Sequence, residues 1–427
     1  MTDLASPLRL PCGVTLPNRL FKSAMTEGLA DSADLPTKAH ATLYRRWSDG
    51  GAGVLVTGNV MVDRRFLERP GNVVLDDRTD LSRFADWVRE GTHAGNQLWV
   101  QLSHPGRQCT RMVTSEPVAP SEVPLRLGGL FARPRALTED EILDVIARFG
   151  RAAGRVKSVG FTGVQIHGAH GYLASQFLSP RVNQRTDRWG GSLENRARFL
   201  LEAVRAARST VGPGYPVSVK LNSSDFQKGA FSSEDSCQVA AWLAEEGIDL
   251  LEISGGTYEH LRLVGADDEK KLAELGLAER TQKREAYFLE YAKAIRAAAK
   301  VPLAVTGGFR KRATMLAALE SGELDVIGLA RPLCTQPDAP RGLLDGTLDE
   351  LRADEHDLAL GPGFLGPRTS SDTLRGLNAQ AQTAWFYRQI LRLSEDAPLE
   401  LDATARSSLW THVNRERRLA KARRAPG

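Results

Sequence analysis

An α/β fold closed into a (β/α)8 TIM barrel is predicted by three observations. Eight short runs alternate with longer helical patterns along most of the 427 residues. The runs are apolar on nearly every residue, as strands covered on both faces must be. Glycines at 50–53, 247 and 322 close helical stretches just before the next run, where helix termini favour them. The strands are expected at 21–25, 54–60, 98–103, 163–167, 217–222, 250–254, 303–306 and 325–329, and regular βα alternation of this kind suggests closure. Helices are expected near 37–49, 79–94, 138–159, 193–211, 233–247, 285–299 and 311–321. Ser192 is placed to cap the fourth, with Glu194 in its first turn. Ahead of strand one, residues 8–16 read as an N-terminal hairpin that plugs the barrel bottom. Two long connections, 104–137 and 255–281, leave the C-terminal ends of strands three and six, where long loops build lids. The barrel domain is expected over 1–345, followed by a helical C-terminal extension over 346–427.

With 42% hydrophobic and 25% charged residues the chain has ordinary globular composition, which excludes disordered and collagen-like classes. Cys12, Cys109, Cys237 and Cys334 lie far apart, so neither a disulfide framework nor a cysteine metal site is expected, and Cys109 and Cys334 are read as unreactive. No apolar run approaches the roughly 18 residues needed to span a bilayer. Met1-Thr2-Asp3 opens no signal-peptide pattern, so a cytoplasmic protein without membrane contact is expected. The formal charge of +4 resides in residues 415–427, six bases against one acid. This basic tail has no interleaved aromatics, so it reads as a solvated or subunit-contacting helix and not as a nucleic-acid site. A homo-oligomer is expected.

A barrel places its chemistry where strands stop. Strand one ends in Ser23-Ala-Met-Thr26 and strand three in Gln101, with His104 beyond it. Strand four ends in His167-Gly-Ala-His170-Gly-Tyr172, and strand five carries Lys220. Strand seven ends in Gly307-Gly308, and strand eight in Ala330-Arg331. Bare glycine backbone with an arginine fork suits a phosphate. A metal on His167 and His170 would need further ligands, and His104 alone does not supply them, so no metal is expected. Gly50-Gly-Ala-Gly53 ends a helix and enters a strand, the reverse of a dinucleotide loop, and reads as a turn. Residues 185–191 are read as structural, with Asp187 pairing a neighbouring arginine.

Three longer blocks carry a resemblance: Gln165-Ile-His-Gly-Ala-His-Gly-Tyr-Leu, Ser175-Gln-Phe-Leu-Ser-Pro, and Asn183-x-Arg-Thr-Asp-x-Trp-Gly-Gly-Ser-Leu-Glu-Asn-Arg-x-Arg-Phe199. Asn18-Arg-Leu-Phe-Lys-Ser-Ala-Met25, Gln101-Leu-Ser-His-Pro-Gly-Arg107, Val305-Thr-Gly-Gly308 and Gly328-Leu-Ala-Arg-Pro332 extend it over roughly residues 7–340. Together they resemble the Old Yellow Enzyme family of FMN-dependent ene-reductases. The resemblance implies non-covalent FMN in the barrel mouth, reduced by NADH or NADPH in the same pocket, and a small enone-type substrate. It implies that Gln101 meets the flavin imide edge, Lys220 lies near N1 and the C2 carbonyl, and Thr26 hydrogen-bonds the C4 carbonyl. Ala24, Met25 and Gly58 would line the ring, and Gly307, Gly308, Ala330 and Arg331 would hold the phosphate. His167 and His170 would lie above the ring and donate to the substrate carbonyl oxygen, while Tyr172 protonates the α-carbon. Lys220 stands where many members carry Arg, Ala330 where Gly is frequent, and Glu27-Gly28 where some relatives place an aromatic. Rival readings keep the barrel and change its use: a dienoyl thioester, amine or quinone-like substrate, or flavin binding without turnover. The first rivals carry a cysteine cluster after the barrel, whereas only Cys334 follows residue 237 here. Joint retention of His167, His170 and Tyr172 disfavours the last.

Overall fold

In the computed structural model, residues 3–125, 129–225, 228–254, 291–366 and 369–424 are described. Eight parallel strands close into a barrel: β1 (Leu20–Lys22), β2 (Val54–Met61), β3 (Gln97–Ser103), β4 (Gly163–Gly168), β5 (Val217–Asn222), β6 (Leu250–Ser254), β7 (Leu303–Thr306) and β8 (Val326–Leu329). They follow chain order, and β8 returns to pair with β1 through Ile327↔Leu20. Alternation decides what fills the barrel and what faces the helices. Phe21, Val54, Val56, Trp99, Leu250, Ala304 and Val326 point inward and pack on Leu10 and Leu16 of the hairpin Leu8–Arg9/Thr15–Leu16. The expected plug is therefore the apolar floor of the barrel. Their strand neighbours, such as Val219, Leu221, Leu251 and Ile253, face the surrounding helices.

Helices Lys38–Asp49, Glu139–Ser158, Leu193–Val211, Ser233–Glu245 and Arg312–Glu320 lie where the pattern placed them, and the Ser192 hydroxyl accepts from Asn195 N. The expected helix over 79–94 divides into a 3-10 turn, Leu81–Phe84, and a short helix, Ala85–Gly91, because Asp80 caps the turn through Ser82 N. Strand one is shorter than expected. Lys22 is fully buried, donates to Val56 O at 2.7 Å and sits over the Trp47 ring at 4.3 Å. Beyond it the chain leaves the barrel, so Ala24–Thr26 become rim rather than strand. A helix at Leu173–Leu178 was not anticipated. The expected connection 255–281 and the start of the 285–299 helix lie outside the described residues.

The 104–137 excursion is held at its feet. Val118–Ala119 pairs with Arg135–Ala136, and Arg185 donates to Pro120 O at 3.1 Å and Leu137 O at 2.7 Å while its other edge forks onto Asp187. The 185–191 segment is thus a clasp for the feet of this excursion. Cys109 and Cys334 are buried, and burial pushes both thiols up to about 12, as inert cysteines require.

The C-terminal tail is the expected helix, but it is not simply solvated. Helices Asp372–Ser394 and Ala405–Arg424 form a pair: Trp385 Nε1 donates to Ala403 O at 2.8 Å and Arg388 to Glu400 at 2.6 Å in the connection between them, and Arg388 also reaches Ser407 Oγ at 3.2 Å on the last helix. The last helix lies against the barrel rim rather than in solvent. Arg423 reaches Asp34 at 2.9 Å and Arg64 O at 2.6 Å, and Arg424 reaches Met112 O at 2.7 Å. Arg417, Arg418 and Lys421 remain exposed. Among the described residues no helix is long and apolar enough to cross a membrane.

One packing choice makes the fold acid-sensitive. His40 is 1% exposed, accepts from Thr37 N at 3.1 Å through Nδ1, and lies 4.6 Å from the Trp87 ring. Burial lowers its protonation to about 3. An unfolded histidine titrates near ~6.5, so the unfolded chain binds the extra proton. The stabilisation is therefore complete above that value and is lost as pH falls toward the folded pKa, by about 2 kcal/mol at pH ~5. His40→Gln keeps a capping-box acceptor and should reduce the stability slope between these pH values by one histidine's share, measured by urea unfolding.

Candidate active site

At the C-terminal mouth a cavity is lined by Ala24, Thr26, Asn59, Glu68, Gln101, His167, His170, Tyr172, Lys220 and Tyr387. Seven of these were singled out in the sequence; Asn59, Glu68 and Tyr387 were not. Beneath it, polar side chains cross the barrel. Gln101 Nε2 donates to Gln165 Oε1 at 2.7 Å, and Gln165 Nε2 donates to Glu252 Oε2 at 2.8 Å. Glu252 Oε1 lies 3.0 Å from Lys220 Nζ and accepts from Thr306 Oγ1 at 2.6 Å, which in turn meets Ser23 Oγ at 2.6 Å. Lys220 is therefore not a lone cation but half of a buried pair. An acid inside the apolar run Leu250-Leu-Glu-Ile was the available signal for it.

Both histidines are held neutral, and the tautomer of His167 is fixed. His167 Nδ1 accepts from Ala169 N at 3.2 Å, which assigns the ring proton to Nε2. Burial, then His170 and Lys220, hold its protonation well below the usual range. His170 has φ +60, a left-handed conformation that costs a side-chain-bearing residue roughly 1–3 kcal/mol. Its N–H donates to Asn222 Oδ1 at 3.1 Å and its Nε2 meets Ser254 Oγ at 2.8 Å, so the ends of β5 and β6 fix the strained turn. Burial and then Lys220 lower His170 to about 3. The His167 ring lies 5.2 Å from His170 and 4.7 Å from Tyr172. Among the described residues no cluster of three or more His, Cys, Asp or Glu could hold a metal.

Other residues are placed differently from expectation. Thr26 Oγ1 donates to Glu68 Oε2 at 2.9 Å, and Asn59 Nδ2 reaches the same oxygen at 2.8 Å; Thr26 thus presents lone pairs, not its proton, to further partners. Gly58 and Met25 do not line the cavity. The Gly58 N–H donates to Glu27 Oε1 at 2.9 Å, and a Cβ there would strike Glu27 and the Met25 carbonyl. Met25 Sδ lies 3.6 Å from Cys334 Sγ. Gly307 and Gly308 follow β7 at φ 125 and 86. Ala330 accepts from Leu333 N at 2.9 Å, opening the short helix Pro332–Thr335, and Arg331 lies 3.5 Å from Glu355, which also takes Arg310 at 2.6 Å.

These residues fit a flavin phosphate ester. Gln101 keeps one amide N–H and Oε1 for an imide edge, Lys220 sets a cation beside it, and the buried Oδ1 of Asn59 lacks a partner at the cavity wall. The Gly307-Gly308 turn and Arg331 offer bare backbone and a guanidinium at adjacent strand ends.

Comparison with known proteins agrees. Residues 3–350 match the family described as NADH:flavin oxidoreductase / NADH oxidase. The chain is 38% identical over 363 residues to the NADH-dependent flavin oxidoreductase iliE of Hypocrea jecorina, covering 79% of this chain and 88% of that one. It is 34% identical over 416 residues to the NADH-dependent flavin oxidoreductase nadA of Aspergillus parasiticus, covering 89% and 90%. Among solved structures it resembles the Old Yellow Enzyme homologue from Zymomonas mobilis, with TM-score 0.68, 25% identity, and coverage of 84% and 97%.

The buried pair makes a stability prediction. Lys220 and Glu252 side chains are 4% and 0% exposed. Glu252→Ala should cost about 3–5 kcal/mol by stranding the lysine, read by equilibrium denaturation. The double change Lys220→Met, Glu252→Leu should recover most of that loss.

Proposed function

The chain belongs to the NADH:flavin oxidoreductase / NADH oxidase family, and from that premise we propose that it reduces activated C=C bonds of α,β-unsaturated carbonyl compounds with NADH or NADPH through non-covalent FMN. Bound FMN supplies the two-electron carrier that takes hydride from the nicotinamide and passes it to the β-carbon. Gln101 and Lys220 would hold its polar edge, Ala24 would lie along the ring, and Gly307, Gly308, Ala330 and Arg331 would hold the phosphate. Met25 and Gly58 support this wall from behind.

The observation that carries the reading is the tautomer of His167. With Nδ1 taken by the Ala169 N–H, the Nε2–H is left to donate. His170 has Nε2 against the Ser254 hydroxyl; when that hydroxyl donates, Nδ1 carries the ring proton. Two neutral N–H donors beside Gln101 and Lys220 suit a carbonyl oxygen that gains negative charge during reduction. Tyr172, 4.7 Å from His167 ring to ring, would deliver the proton to the α-carbon, as a phenol that stays protonated at neutral pH. Pairing Lys220 with Glu252 keeps a cation in the site without a large net charge.

Purified protein should carry flavin absorbance, and FMN should leave intact on denaturation. His167→Ala with His170→Ala should keep the flavin and lose at least about 10²–10³ in enone turnover. Tyr172→Phe should leave flavin reduction by the nicotinamide nearly unchanged in stopped flow, while reoxidation by cyclohexenone slows by about 10²–10⁴. Reoxidation by oxygen should be unaffected. Colourless protein that cannot be reconstituted with FMN refutes the reading.

A further inference from the structure

Tyr387 is the cavity-lining residue that comes from outside the barrel, on the helix Asp372–Ser394. It is held from the last helix and the rim together. Its ring stacks on His412 with centroids 4.9 Å apart and an interplanar angle of 15°, and the Arg69 guanidinium lies 4.4 Å from its centroid. Glu416, one turn beyond His412, meets Arg69 at 3.2 Å and His412 at 3.5 Å. Burial, with Arg69 and Arg415 nearby, lowers His412 to about 3, so it stacks as a neutral ring.

The rim at Gly71 has no room for a side chain beside this helix, while Gly28 lies in ordinary contact with it. A Cβ on Gly71 would lie 2.9 Å from Gly28 O and 3.0 Å from Leu419 Cδ1, and one on Gly28 would lie 3.6 Å from Arg415 Nη1. Both glycines have positive φ, +90 and +67. Glu27 turns toward Gly58 and Tyr44, so the 27–28 segment offers the cavity no side chain of its own.

We infer that Tyr387 is a specificity-determining residue, a wall contributed by the C-terminal extension that restricts the cavity to compact enones, with His412 and Arg69 as its positioning residues. The inference rests on the functional reading above. The ring, fixed on two sides, cannot swing aside for a substituent that points at it. Removing a wall of this size should change discrimination between small and bulky ligands by about tenfold or more, the scale of pocket-shape selection.

The test is made on the full-length holoprotein. Phenol and 4-phenylphenol, whose phenolate oxygen imitates an enolate, are titrated by flavin absorbance, and kcat/KM is compared for cyclohexenone and 4-phenylcyclohexenone. Tyr387→Ala should retain the flavin and shift both ratios toward the bulky member by about tenfold or more. Tyr387→Leu serves if the alanine variant fails to fold, with a smaller shift in the same direction. His412→Ala should give a partial shift, Tyr387→Phe should keep the original ratios, and Trp410→Ala, at a residue 72% exposed on the same helix, should change nothing. Yellow Tyr387→Ala and Tyr387→Leu proteins with unchanged ratios would overturn the inference, as would a phenylalanine variant that shifts as far as alanine. Colourless wild-type protein would overturn the functional reading and this inference with it.

Discussion

The upper half of the barrel depends on one ion pair. Lys220 and Glu252 are register partners on adjacent strands, and His167 is the partner of Lys220 on the other side. The row His167, Lys220, Glu252 thus points inward at one level. Gln101 and Gln165 form a second cross-strand pair just below His167. A slip of one residue in any of these strands would turn a polar side chain into the helix layer and an aliphatic into the mouth. Two buried ions are costly in themselves, and here every neighbour helps to offset that cost. Glu252 accepts from Gln165 and Thr306 as well as facing Lys220. The apolar floor set by the hairpin needs only volume; the polar layer above it needs register.

That distinction separates what was legible in the sequence from what was not. Strand ends could be read because apolar runs and glycines mark them, and with them came Gln101, His167, His170, Tyr172 and Lys220. Glu252 sat in plain view within an apolar run, yet its partner is defined by the alignment of β5 on β6, which periodicity does not report. Asn59 and Glu68 escaped for a related reason. Glu68 lies beyond β2, and its carboxylate gathers Asn59 from within that strand and Thr26 from the rim after β1.

The C-terminal helix shows the limit of composition as a guide. A run of bases averages to solvation because most such runs meet no acceptor. This one meets several, Asp34 and the carbonyls of Arg64 and Met112, while its own acid, Glu416, takes Arg69 from the rim. Backbone carbonyls carry no mark in the sequence, so the difference between a solvated tail and a docked helix was invisible there. The only hint lay in Gly28 and Gly71, two small residues at a rim where side chains are usually welcome.

Those glycines also bear on the departure at Glu27-Gly28. Read alone, it leaves the shape of the pocket undetermined. In the fold, Glu27 is buried beside Tyr44, Gly58 and Lys22; burial raises its carboxyl above the ordinary range and lowers Lys22 to about 8. The side chain thereby closes the back of the rim and leaves its front to whatever packs on Gly28. Arg415 and Leu419 press on that front, and the same helix carries His412 against Tyr387. A side chain at 71 would crowd Leu419 of the helix and the Gly28 carbonyl of the rim together. The two regions are therefore mechanically coupled: the rim can be small because the extension is present, and the extension can approach because the rim is small.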